Sequence, residues 1–185
     1  MRLNILFGGK AGQGPNTLAY IIGRALVKQG YYVFYSRDYQ SLIRGGHNFN
    51  VLTISDEPVY SNDLEMDIII ALDKNTEKIH EKELKKDGII LSGEFSNMYF
   101  AGRIFKILGL DFNILERQLK ELEKRFEDNL MEAKKGYESE DKKIKMIEIE
   151  KKDLFFMNGS QGISDGAIKS GLDIYYSYPM TPATP

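Results

Sequence analysis

The sequence predicts an α/β protein: a three-layer α/β/α domain with a largely parallel sheet, followed by the first β-loop-α-β unit of a truncated second α/β domain. Three observations carry this. The chain opens with an apolar strand, a glycine-bearing loop, an amphipathic helix and another strand, within the length of one parallel β-α-β unit. The run "DIIIAL" is apolar throughout, as a strand buried on both faces should be. Finally, the strand–loop–helix–strand order restarts after a charge-dense stretch that ends near residue 153.

Element by element, "RLNILF" (2–7) reads as the first buried strand. A helix follows from Pro15, which suits a first helical position, with Leu18, Ile21, Ile22, Ala25 and Leu26 on one face and Gly30 as C-terminal cap. "YYVFYS" (31–36) is the second strand. "NFNVLTIS" (48–55) alternates apolar and polar residues, which suits a half-exposed strand at a sheet edge. After "DIIIAL" (67–72), the polar "KNTEKIHEKELKKDG" reads as a helix ending in a turn, and "IILSG" as a short strand. Residues 97–109 form a helix. From Asn113, Leu115, Leu119, Leu122, Phe126, Leu130 and Ala133 recur at helical spacing, predicting one long helix packed on the sheet. The predicted domains are therefore 1–135, a charged linker at 136–153, and an incomplete domain at 154–185. The last comprises a strand (154–157), a helix (162–171) and a strand (173–177).

Composition excludes several function classes. The 185 residues carry a net charge of −2, without the basic excess of a nucleic-acid binder. With no cysteine there is no disulfide, no thiolate-held zinc and no iron–sulfur cluster bound by this chain. His47 and His80 lie far apart in sequence, so no metal site is expected. No apolar run reaches the roughly 18 residues of a membrane span. "MRLNILFGG" enters a strand with no signal-peptide cleavage region, so a soluble cytoplasmic protein is expected.

Two loops are candidate sites. "GGKAGQGPNT" joins a strand to a helix start, where backbone N–H groups and the helix dipole favour an anion. It matches neither nucleotide fingerprint: the third glycine of G-x-G-x-x-G is missing, and Pro15 and Asn16 follow Gly14 where a P-loop has Lys and Ser or Thr. Asp38 ends the second strand at about the ribose-binding distance. Gly12, Gln13 and Gly14 thus either contact a phosphate or form a tight turn that needs positive φ. In "RDYQSLIRGGHNFN", Arg44, Gly45, Gly46, His47 and Asn48 present donors on a flexible backbone, or form one helical turn capped by Gly45.

These stretches together resemble a known family. "GGKAGQG", "YSRDYQSLIRGGHNFNVLTISDEPVYS", "DIIIALD" and "NMYFAGRIFKILG" look like the γ domain of the 2-oxoacid:ferredoxin (acceptor) oxidoreductases. The restart resembles the pyrimidine-binding α domain of the same enzymes, whose G-N-E-A loop and Y-P-I-T-P motif appear here as Gly159-Ser160-Gln161-Gly162 and Tyr178-Pro179-Met180-Thr181-Pro182. Ser160 and Gln161 depart from the usual Asn and Glu. The resemblance covers nearly the whole chain, in the γ-then-α order of fused α subunits.

The resemblance implies oxidative decarboxylation of a 2-oxoacid (pyruvate, ketoisovalerate or 2-oxoglutarate) to acyl-CoA. Thiamine diphosphate carries the chemistry, iron–sulfur clusters pass electrons to ferredoxin, and coenzyme A takes the acyl group. It further implies that Thr181 faces the 2-oxoacid, and that the 12–14 and 44–48 loops contact coenzyme A or an interface. The diphosphate and Mg²⁺ would belong to a β subunit. The chain then reads as an N-terminal part of an α subunit in an oligomeric complex, inert alone. The alternatives are a stand-alone nucleotide- or coenzyme-A-binding module, or a structural subunit that uses Tyr175, Tyr176 and Tyr178 as an interface.

Overall fold

The computed structural model describes residues 1–10, 12–39, 46–122, 125–178 and 180. They divide into two compact units, Met1–Leu154 and a second beginning at Phe155. The first unit is built on a sheet of β1 (Arg2–Lys10), β2 (Tyr32–Tyr39), β3 (His47–Ser55), β4 (Met66–Ala71) and β5 (Leu84–Ser92), in the order β2-β3-β1-β4-β5. β1, β4 and β5 pair in parallel, whereas β3 runs antiparallel to both β1 and β2. Four strands therefore share one direction and β3 alone opposes them.

One face of the sheet carries most of the core. Ile5, Phe7, Leu52, Ile54, Ile68 and Ile70 pack there against α1 (Pro15–Val27) and α3 (Asn97–Ile107), with α4 (Phe112–Lys120) and α5 (Phe126–Glu138) closing the layer. The opposite face holds a smaller cluster of Leu6, Val51, Met66 and Ile69. It is crossed by the short helix α2 (Lys74–His80), whose Thr76 lies over Gly8.

In this first unit three predicted elements differ. β3 is an interior strand, not a half-exposed edge. Its polar Thr53 is tolerated because β1 and the loop after β3 each bring it a partner: Thr53 donates to Asn4 Oδ1 at 2.6 Å and accepts from Asn62 Nδ2 at 2.8 Å. The polar helix after β4 stops at His80, and after one 3₁₀ turn (Glu81–Glu83) the chain is extended from Leu84. Pairing with β4 and packing of Leu84 outweigh the local helical preference. The long helix predicted from Asn113 is two helices, with Arg125 in the left-handed region at φ 51° between them. Both halves still bury their stripe, through Leu115, Leu119 and Ala133.

The charged stretch after α5 runs along the first unit. Lys143 and Ile144 donate backbone N–H groups to Ile107 O at 3.0 and 2.8 Å, Tyr31 Oη donates to Ile147 O at 2.7 Å, and Met146 is buried. Glu140, its side chain only 7% exposed, is paired with both Arg103 and Lys143.

In the second unit, α6 (Gly159–Lys169) starts three residues before the predicted helix, in a capping box. Asn158 N donates to Gln161 Oε1 and Gln161 N to Asn158 Oδ1, both at 2.9 Å. The segments 154–157 and 173–177, expected as strands, form no ladder among the described residues. A strand exists only by pairing, and here Phe155, Tyr175 and Tyr176 are exposed.

α3 and α5 cross with backbones almost touching at Gly102 and Gly136. A Cβ at Gly102 would overlap Ala133 O and lie 2.7 Å from Tyr137 N. Gly102→Ala should therefore force the helices apart and cost about 1–3 kcal/mol, read as a lower urea midpoint. An unchanged midpoint would show that the crossing does not constrain the fold.

Candidate functional site

β1 delivers the glycine loop to the carboxyl edge of the sheet. Gly12 and Gly14 adopt φ 92° and 78°, so both need the freedom of glycine. Between them Gln13 turns inward: its Oε1 accepts from Lys10 N at 2.6 Å and its Nε2 donates to Leu72 O at 3.0 Å. Asn97 Nδ2 donates to Gln13 O at 2.9 Å, tying the loop to the start of α3. α1 then starts at Pro15 with no side-chain cap, which leaves a positive helix end facing outward.

That helix end forms one wall of a cleft of about 600 Å³, together with Gly12, Gly14 and Lys10; Arg37 from β2 and Asn48 from β3 line the other. Because β3 runs against its neighbours, its first residues reach the edge where β1 and β2 end. Asn48 is 7% exposed, and its Oδ1 has no hydrogen-bond partner among the described residues. Behind it Asn50 accepts from Tyr35 Oη at 3.2 Å while its Nδ2 has no partner among the described residues. Burial pushes the Tyr35 phenol up, against the pull of Arg37, whose guanidinium stands 5.6 Å from that ring. An unmet buried polar atom costs about 1–3 kcal/mol.

On the other side of the loop, a cleft of about 830 Å³ lies at the carboxyl ends of β1, β4 and β5. Lys10, Asp73, Lys74, Ser92 and Phe95 line it. The chain leaves β1 toward β2 on one side and β4 toward β5 on the other, so this edge is a topological switch point, where α/β sheets place ligands.

The predicted site residues separate. Gly12, Gly14 and Asn48 line the first cleft, and Gln13 holds the loop from within. Gly46 is partly buried just before β3. Arg44, Gly45 and Thr181 lie outside the described residues. His47 is not in a loop: it opens β3 and meets His80 at the end of α2, with Nε2 to Nε2 2.8 Å apart. His80 Nδ1 is 2.9 Å from Glu83 Oε2. Burial, and then the charge of His80, hold His47 below its ordinary pKa, outweighing Asp73, Asp38 and Glu83. Among the described residues no group of three or more His, Cys, Asp or Glu side chains is arranged for a metal ion. The sequence does not single out Lys10 or Arg37, which meet at the cleft only in the folded chain. Nothing in the sequence joins His47 to His80.

Residues 4–94 match the family model described as pyruvate ferredoxin/flavodoxin oxidoreductase. A 2-oxoacid:ferredoxin oxidoreductase subunit alpha from Saccharolobus solfataricus is 31% identical over 150 residues, which is 81% of this chain and 23% of the relative. A subunit of the same name from a Sulfolobus species is 42% identical over 85 residues, 46% of this chain and 13% of the relative. The chain thus spans less than a quarter of these curated relatives. Among solved structures, the 2-oxoglutarate:ferredoxin oxidoreductase from Magnetococcus marinus, with 2-oxoglutarate, coenzyme A and succinyl-CoA bound, superposes with a TM-score of 0.80 at 20% identity, covering 99% of this chain and 40% of that one. The gamma subunit of keto/oxoacid ferredoxin oxidoreductase from Geobacter sulfurreducens superposes at 0.63 and 22% identity, covering 75% and 95%. These two share the fold. Residues 4–94, which hold the five-stranded α/β sheet from Asn4 of β1 to the end of β5, thus form a domain of the pyruvate ferredoxin/flavodoxin oxidoreductase family.

Proposed function

We propose that this chain is part of the α subunit of a thiamine-diphosphate-dependent 2-oxoacid:ferredoxin oxidoreductase in the cytoplasm, and that its glycine-loop cleft meets coenzyme A. The observation that carries the reading is the cleft wall. An uncapped helix start, Lys10 and Arg37 offer positive charge against the Asp38 carboxylate, and the buried Asn48 Oδ1 beside them asks for an N–H. Coenzyme A has phosphates for the first and amide or adenine N–H groups for the second. The Magnetococcus enzyme that shares this fold is described with coenzyme A bound.

In this reading residues 1–135 are the γ-type domain, 136–153 a charged connection and 154–185 the opening of the pyrimidine-binding domain. Coenzyme A supplies the thiol that takes the acyl group, and thiamine diphosphate supplies the carbanion chemistry. This chain's own work is to bind and orient. Gly12 and Gly14 keep the backbone bare for a phosphate, Arg37 and Lys10 neutralise it, and Asn48 fixes the neighbouring amide or base. Thr181, by the family resemblance, faces the 2-oxoacid. A β subunit holds the diphosphate and Mg²⁺, and iron–sulfur clusters borne by other parts of the complex lead to ferredoxin.

Recovered without oxygen from its own cells, the tagged chain should bring a partner carrying thiamine diphosphate and reduce a viologen dye with a 2-oxoacid and coenzyme A. Arrival alone, with no cofactor, would sink the subunit reading. In the same complex Arg37→Ala should raise KM for coenzyme A about 10–100-fold, the loss of one charge-assisted bond of about 1.5–3 kcal/mol. KM for the 2-oxoacid should not move. An unchanged KM for coenzyme A would place the coenzyme elsewhere.

A further inference from the structure

We propose that His47 and His80 form a proton-sensitive latch that pins the first residues of β3, and with them the Asn48 wall of the glycine-loop cleft, to the end of α2. The inference does not depend on which ligand the cleft takes.

Two imidazole nitrogens 2.8 Å apart share one hydrogen bond, and this requires one of them to be bare. The Glu83 carboxylate only accepts, so His80 Nδ1 carries a proton toward it. In the neutral pair His80 Nε2 is therefore the acceptor and His47 Nε2–H the donor. That leaves His47 Nδ1 bare, and it is buried with no partner among the described residues. One added proton keeps it: on His47 Nδ1 the direction is unchanged, and on His80 Nε2 the bond reverses as His47 moves its own proton from Nε2 to Nδ1. A second puts N–H on both facing nitrogens and sets two like charges at contact distance. The bond survives none or one extra proton and fails at two.

The packing turns that failure into movement. Phe49 stands 4.6 Å from the His80 ring and 5.9 Å from the His47 ring, and His80 is 3% exposed, so the two histidines have little room to rotate apart within the closed cluster. The charged groups around His47 come from every neighbouring element. Lys10 is its register partner on β1, Asp38 ends β2, Asp73 caps α2 and Glu83 lies in the turn after it. The three carboxylates favour a charged His47, but burial and His80 outweigh them and hold its pKa below 6.5. The latch is thus closed at neutral pH and opens on acidification. α2 begins at Lys74, beside Asp73 in the second cleft, while Asn48 lines the first, so the latch joins walls of the two clefts that flank Lys10.

The direct test is nitrogen NMR of the full chain labelled with ¹⁵N-histidine. A scalar coupling between His47 Nε2 and His80 Nε2 should be present at pH 7.5 and lost as the pH falls through the folded pKa of His47. Over the same range, amide exchange at residues 48–51, corrected for its intrinsic rate, should rise about tenfold or more. In His80→Phe, which keeps a ring against Phe49, that pH dependence should vanish. Absence of the coupling at pH 7.5 overturns the latch, even if the variant does not fold. So does wild-type exchange that ignores pH while His47 titrates. Stability gives a third readout. The folded pKa of His47 lies below its unfolded value near 6.5, so its contribution is full above 6.5 and is lost as pH falls through the folded pKa. The urea midpoint should fall over that interval, and less steeply in His47→Phe.

Discussion

The arrangement of this edge depends on two missing side chains, at Gly8 and Gly9. β1 runs through the middle of the sheet, and at its end the chain must accept a helix on one face and its own loop on the other. A Cβ at Gly8 would overlap the Thr76 side chain, which would lift α2 off the sheet. A Cβ at Gly9 would come within 2.9 Å of Gln13 Oε1 and 3.0 Å of Leu72 Cβ, displacing the loop and the exit of β4. With both positions bare, Leu72 N donates to Gly8 O at 2.9 Å and Gln13 bridges Lys10 to Leu72. Glycine inside a strand marks close approach of backbone or ligand, and here both neighbours are parts of the same site.

The second constraint is strand direction. In an all-parallel sheet the first residues of every strand lie away from the ligand edge. β3 runs backward, so its opening residues stand where β1 and β2 end. The polar side chains of β3 follow this division. Toward its far end, Thr53 is stitched to Asn4 and Asn62 and has its partners. Toward its start, Asn48 and Asn50 are also buried but each has a polar atom with no partner among the described residues. A fold that satisfies its polar atoms at one end of a strand and not at the other has left the second end for something else.

The same distinction explains what the sequence makes legible. Strands β1 and β4 and helices α1 and α3 follow from local pattern, because each buries a face whose period is written in consecutive residues. The glycine loop is legible too, since Gly12, Gly14 and Pro15 encode the turn and the helix start directly. β3 misleads because its Asn48 and Asn50 look like a solvent face, and only partners distant in sequence decide where an asparagine goes. The stripe from Leu115 to Ala133 is real, but one helix ends at Lys120 and another starts at Phe126, and periodicity does not register an interruption that leaves apolar residues buried on both sides of it. His47 and His80 meet because β3 reverses and α2 crosses the opposite face, two tertiary facts with no local trace. Lys10 and Arg37 go unread for the same reason: each is an ordinary strand-end cation until the loop between them is folded.

The two faces of the sheet are unequally covered, and this decides how the site responds to a local change. α1 and α3 bury large apolar faces on one side, against Phe7, Ile54 and Ile70. α2 has only seven residues, too few to hold as a helix by itself. It is kept in place by the Asp73 cap on Thr76, by Thr76 over Gly8, and by His80 against His47 and Phe49. Elements with few apolar contacts open first, at a fraction of the global unfolding free energy. A loss at the histidine pair therefore falls on the least supported helix and leaves the main core intact. The protein has placed its titratable pair on the thin face, where a proton can move one wall of the cleft without threatening the fold that carries it.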